Sequence, residues 1–149
     1  MSASTRPLRI FPMLFAILLL FAGCSHTASE VALRGALDRL QESGEKRAIG
    51  DFMDLVHEDF SGNGGEFDRA GLERLLRLVA MRHQSIGVTR TSTTIEMHGE
   101  LAEVRMSLLV TGGAGGLIPE TGQLFETNSS WRFADGEWQV VSASWKPVG

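Results

Sequence analysis

The chain has 149 residues, 43% hydrophobic and 21% charged, with 18 acidic against 14 basic residues and a formal net charge of −4. That length suits one ordinary domain with an apolar core, and an acidic balance without a basic stripe argues against nucleic acid as a partner. One cysteine, Cys24, rules out a disulfide within the chain.

The chain begins with Arg6 and Arg9, then fourteen uncharged residues, 10–23, ending in Ala22 and Gly23 just before Cys24. A positive start, an apolar stretch and small residues at its end are the pattern of an export signal. A membrane-spanning helix would need about twenty apolar residues. Ordinary cleavage before Cys24 fits poorly, because Phe21 is bulky where such sites take a small residue. The stretch Phe21-Ala22-Gly23-Cys24 resembles the lipobox of bacterial lipoproteins. The resemblance implies cleavage before Cys24 and lipid attached to its sulfur and new amino group, with the membrane as a partner through that lipid. Ser25, in place of Asp, points by the same resemblance to the outer membrane, with the protein facing the periplasm. The competing reading is an idle cysteine beside a plain signal peptide. The expected organisation is a signal peptide over 1–23, a lipidated N-terminus and short tether over 24–29, and a domain over 30–149. Without the signal, 126 residues remain with a net charge of −6.

Residues 29–43 carry Val31, Leu33, Ala36, Leu37 and Leu40 at helical spacing, with Gly44 as a stop. A second helix is predicted over 46–57 from Ile49, Phe52, Met53 and Val56. Ser61-Gly62-Asn63-Gly64-Gly65 is a turn cluster. Asp68 then caps a third helix bearing Leu72, Leu75, Leu76 and Val79, with Glu73 and Arg77 as a supporting pair. From Gly87 the period changes to two, and strands are predicted over 88–97, 101–110, 124–133 and 137–145.

Helices followed by strands give an α+β domain, three N-terminal helices packed on an antiparallel sheet. The chain here resembles the nuclear transport factor 2-like superfamily, which includes SnoaL-like polyketide cyclases and ketosteroid isomerases. The likeness is carried by Asp59-Phe60, Asp68, Gly99-Glu100-Leu101-Ala102-Glu103-Val104 and the segment from Trp131 through Asp135-Gly136 to Trp138. It implies a cone fold with a curved sheet. Family members that isomerise, cyclise or hydrolyse use a pocket Asp, His or Tyr.

Asp135-Gly136 is a strong two-residue turn, which sets Phe133 opposite Trp138, Trp131 opposite Val140, Ser129 opposite Ser142 and Thr127 opposite Ser144. At the other hairpin a His98-Gly99 loop is preferred, since Gly99-Glu100 would set Glu96 against Glu103. One face then carries no ionisable group and must meet the helices. On it, Thr91, Thr93, Met106, Leu108, Thr127, Ser129, Trp131, Ser142 and Ser144 are the candidate lining of a small-molecule pocket. On the outer face, Leu109, Val141, Ala143 and Trp145 form an apolar patch suited to a homodimer or another partner.

The chain has no tyrosine, and its predicted inner sheet face has no acid or histidine, so a general base would have to come from His57, Asp59 or His83. No metal-ligand spacing such as HExxH occurs, and neither a metal nor a cofactor is expected. The glycines of 112–116 lack the Lys and Ser/Thr of a phosphate loop and read as a flexible connection overhanging the pocket mouth. The leading functional expectation is therefore a lipid-anchored envelope module that binds a small, largely neutral ligand. An envelope interaction protein comes second, and an isomerase, lyase or hydrolase third.

Overall fold

A computed structural model of the protein describes residues 27–114 and 121–149. The predicted signal, the expected lipid-attachment site at Cys24 and the loop glycines Gly115 and Gly116 lie outside the described residues. In chain order the elements are α1 (Glu30–Glu45), α2 (Ile49–Asp54), β1 (Val56–Gly62), a 3-10 turn (Asn63–Gly65), β2 (Phe67–Asp68), α3 (Arg69–Arg82), β3 (Ser85–His98), β4 (Leu101–Gly113), β5 (Thr121–Ala134) and β6 (Glu137–Pro147).

Helix α1 begins where the Ser29 hydroxyl accepts the Ala32 N–H at 3.1 Å, a side-chain cap on an otherwise orphaned donor. It buries Leu33, Ala36 and Leu37, whereas Val31, expected on the same stripe, is 82% exposed. The helix passes Gly44 and ends at Glu45, and Arg47 takes up the left-handed backbone at φ 56°. Arg47 then donates to the carbonyls of Ala80 and His83 at 3.3 and 3.2 Å, placing a cation at the C-terminus of α3. At the other end of α3, Asp68 Oδ1 accepts the Gly71 N–H at 2.6 Å.

The second helix is shorter than predicted. It stops at Asp54, and residues 56–62 form a strand instead of completing a helix to 57. Phe52, Val56 and Phe60 stand four apart, a spacing that mimics a helix stripe. The break is held by Arg69, whose guanidinium donates to the Met53 carbonyl at 2.9 Å and the Val56 carbonyl at 3.2 Å.

Among the described residues the sheet has six strands in the order β2-β1-β6-β5-β4-β3. All pairs are antiparallel except β1 with β6, which is parallel and sets Val56 against Val140 and Gly62 against Ala143. The four predicted strands are present and somewhat longer. Strand β4 runs through Gly112 and Gly113, so the predicted glycine connection begins later than expected.

The β5–β6 hairpin turns at Asp135 and Gly136, both at positive φ, with Phe133 opposite Trp138 and Trp131 opposite Val140. The β3–β4 hairpin corrects the preferred register: His98 pairs with Leu101, so the loop is Gly99-Glu100 and Glu96 does face Glu103. The repulsion is relieved because Arg105 binds Glu96 and the Ser130 hydroxyl donates to Glu103 at 2.7 Å.

Two bulges change which side chains face the helices. In β3, Arg90 pairs with Leu108 and Ser92 with Ser107, leaving Thr91 as the extra residue. In β6, Val140 pairs with Trp131 and Ser142 with Ser130, leaving Val141 as the extra residue. A single inserted residue reverses a two-residue alternation. Arg90 thus sits on the helix side, paired with Asp38 of α1. Beyond Val141, Ala143 lies opposite Ser129 and Trp145 opposite Thr127, in place of Ser142 and Ser144.

The core joins Leu33 and Leu37 of α1, Met53 of α2, Phe60 of β1, Leu72 of α3 and the sheet residues Val104, Trp131, Trp138 and Val140. The core and the side chains packed on it all fall between Ala28 and Trp145. Among the described residues this core thus draws on all three helices and on the sheet.

Candidate binding cavity

Between α3 and the sheet lies a cavity of about 410 Å³. Helix α3 contributes Leu72, Leu75, Leu76 and Val79, the row that recurs at helical spacing, while Phe52 comes from α2 and Phe60 from β1. The sheet supplies Leu108 and Val110 from β4, Phe125 and Thr127 from β5, and Val140, Ala143 and Trp145 from β6. None of these side chains is ionisable, and Thr127 is the one polar residue among them. Its hydroxyl donates to the Met106 carbonyl at 3.3 Å, so the wall of the cavity is apolar with its single hydroxyl already engaged. A volume of this size lies within the range that holds small organic ligands.

Trp145 is fixed from behind. Its backbone N–H donates to Asn63 Oδ1 at 2.9 Å, and its ring packs on Phe67 with centroids 5.5 Å apart at 38°. The turn cluster 61–65, read from the sequence only as a loop, is thus the support of one cavity wall.

Of the expected lining residues, Leu108 and Thr127 lie on the cavity. Ser129 lies beneath it, 7% exposed, accepting the Trp131 indole N–H at 2.9 Å and donating to the Val104 carbonyl at 3.3 Å. Trp131 is a core residue at 1% exposure, and Met106 packs against that core. Thr93 pairs with Met106 on the helix side but does not reach the cavity. Thr91 is the β3 bulge and is exposed, its hydroxyl donating to the Ser107 carbonyl at 3.2 Å. Ser142 and Ser144 stand on the outer face because of the β6 bulge. The same bulge takes Ala143 and Trp145 out of the expected outer patch and into the cavity, leaving Leu109 exposed and Val141 half-buried outside.

His57 lies on β1 rather than at a helix end. Its Nδ1 accepts the Asp59 N–H at 3.1 Å and stands 3.9 Å from a carboxylate whose side chain is 87% exposed. His83 closes α3, and its ring covers Gly112, where a Cβ would approach Nδ1 to 2.7 Å. None of His57, Asp59 and His83 lines the cavity. Among the described residues no group of three His, Cys, Asp or Glu is placed to hold a metal, and no helix is long and apolar enough to cross a membrane.

The chain matches no protein-family model and no curated protein. Its fold is similar to that of several solved structures. A Novosphingobium aromaticivorans protein provisionally named a scytalone dehydratase aligns at a TM-score of 0.71 and 14% identity, over 80% of this chain and 83% of that one. A Streptomyces avermitilis protein of the nuclear transport factor 2-like family, provisionally named a dehydratase, aligns at 0.69 and 18% identity, over 80% and 95%. Bd1075 of Bdellovibrio bacteriovorus aligns at 0.68 and 12% identity, and there the match spans 78% of this chain but 40% of the other. The domain thus has the nuclear transport factor 2-like cone fold, an α+β architecture of three helices on a mostly antiparallel sheet.

Proposed function

We propose that the domain is a binding module for a small, neutral, apolar ligand held between α3 and the sheet. The observation that carries this reading is the composition of the cavity wall: among the described residues it is made of aromatic and aliphatic side chains and one threonine, with no ionisable group. Such a wall gives affinity through apolar burial, about 25 cal/mol per Å². It offers a charged ligand nothing in return for its lost hydration. General acid–base catalysis would need a titratable side chain at hydrogen-bond reach of the ligand, and His57, Asp59 and His83 stand elsewhere. Binding is therefore preferred to catalysis.

The proposed setting is the bacterial envelope, with lipid on Cys24 tethering the domain to the periplasmic side of the outer membrane. The support is the stretch Phe21-Ala22-Gly23-Cys24 after an uncharged run. Incorporation of labelled palmitate, lost in Cys24→Ser, tests it. A homodimer through the outer sheet face is the lesser reading, because Leu101 and Leu109 stand there as exposed apolar residues at 52% and 37% among charged and hydroxyl side chains.

Titration of the purified protein with the neutral fluorophore N-phenyl-1-naphthylamine tests the cavity. The expected result is saturable fluorescence enhancement, displaced by 1-dodecanol far better than by dodecanoate. Absence of saturable binding would remove the reading, and stronger displacement by the carboxylate would remove its chemistry.

A further inference from the structure

Gly62 closes β1 in an ordinary extended conformation, φ −109° and ψ 140°, so nothing in its backbone calls for glycine. Glycine inside a strand weakens it, and often marks a place where another group approaches closely. A Cβ at position 62 would lie 2.9 Å from Cη2 of Trp145, 3.1 Å from Cε1 of Phe60 and 3.1 Å from Cβ of Phe67. Two of these three neighbours, Trp145 and Phe60, are cavity walls.

The three differ in what can yield. The Phe67 atom is a Cβ, fixed by its own backbone. The Trp145 main chain is pinned through Asn63, but the far end of its indole turns with the side-chain torsions. The Phe60 ring edge is likewise the free end of a side chain. Filling position 62 therefore drives the indole of Trp145, with the edge of Phe60, away from β1 and into the cavity.

We infer that Gly62 is a positioning residue that sets the size limit of the ligand: its missing side chain is the space in which the Trp145 indole stands. The inference rests on the cavity reading above and adds to it a specific determinant of ligand length, located outside the cavity lining itself.

The test is a competition series of neutral 1-alkanols, from hexanol to tetradecanol, against N-phenyl-1-naphthylamine on the purified protein. In the unsubstituted protein affinity rises about fourfold per methylene until the cavity is full. In Gly62→Ala the optimum falls by about two carbons, and affinity for the original best alkanol drops about tenfold or more, while hexanol binds almost unchanged. Trp145→Phe, which shortens the ring at the point of contact, moves the optimum to longer chains, and added to Gly62→Ala it restores part of the lost length. An unshifted optimum in Gly62→Ala, or a uniform loss along the series with a lowered melting temperature, would overturn the inference. If Gly62→Ala does not fold, an unshifted optimum in Trp145→Phe overturns it alone. Failure of the unsubstituted protein to bind any alkanol or the probe would overturn the cavity reading, and this inference with it.

Discussion

The hydroxyl of Ser129 accepts the indole N–H of Trp131 at 2.9 Å and donates to the Val104 carbonyl at 3.3 Å, in a position 7% exposed. The hydroxyl's one donor and one of its acceptor lone pairs are thus spent inside the core, on strand β4 and on a buried tryptophan rather than on a ligand. Ser129→Ala leaves that indole donor without a partner, which costs about 1–3 kcal/mol. Urea denaturation should report this loss, while affinity for N-phenyl-1-naphthylamine stays unchanged. A selective loss of binding at full stability would place Ser129 in the site after all.

The β6 bulge makes a sharper test of which face is which. Ala143 borders the cavity, so Ala143→Leu should fill part of it, weakening ligand binding about tenfold or more while adding up to about 1 kcal/mol of apolar burial. Ser142→Leu points the other way and should leave binding intact. Strict alternation along β6 predicts the reverse outcome for the pair, so one titration of each variant separates the two arrangements.

That pair also marks where the sequence stopped being readable. Helix α1, the Asp68 cap of α3, the Asp135-Gly136 turn and the four long strands follow from local patterns, because capping, hairpin turns and two-residue alternation are properties of neighbouring residues. A bulge is not. Nothing near Thr91 or Val141 distinguishes an extra residue from a paired one, since both are good strand formers, and each bulge inverts every side chain beyond it. Ser142 and Ser144 were therefore read inward, Ala143 and Trp145 outward. Strand β1 was lost for a related reason: Phe52, Val56 and Phe60 share a spacing that suits a helix, and only the partnership with β6, more than eighty residues later in the chain, decides for a strand. The apolar stripe of α3 gave four cavity residues correctly as helix positions, but its pattern alone cannot tell a packed core face from the wall of a cavity. The clue that was available and missed is Gly62, one of the glycines grouped as a turn although it ends a strand.

Because no ionisable side chain lines the cavity among the described residues, the affinity for a neutral probe should be flat with pH. A titration of N-phenyl-1-naphthylamine binding between about pH 5.5 and 8.5 covers the ordinary histidine range and should show no inflection. A sigmoidal change centred near the histidine range would bring His57 or His83 into contact with the ligand and reopen the acid–base reading.

Among the described residues Thr127 is the one hydroxyl-bearing residue on the cavity wall, and its hydroxyl donates to the Met106 carbonyl. Thr127→Val keeps the side-chain shape and removes that bond, at a cost of about 0.5–1.5 kcal/mol in stability. Ligand affinity should hold or rise, since the wall loses its one hydroxyl. A marked fall in affinity would mean that Thr127 turns its hydroxyl to the ligand, which would make the ligand a hydrogen-bonding one.

Arg69 decides whether the wall made by Phe52 and Phe60 stays in place. Its Nε and one terminal nitrogen donate separately to the Val56 and Met53 carbonyls, one on each side of the break between α2 and β1, so the planar fork clamps the point at which helix becomes strand. Arg69→Met removes both of these hydrogen bonds and should destabilise the domain by about 2 kcal/mol. Arg69→Lys should recover little of it, because one ammonium has no rigid fork with which to span two carbonyls at fixed separation. Denaturant unfolding of the two variants is the check, and full recovery by lysine would show that the charge, rather than the geometry of the fork, holds the break.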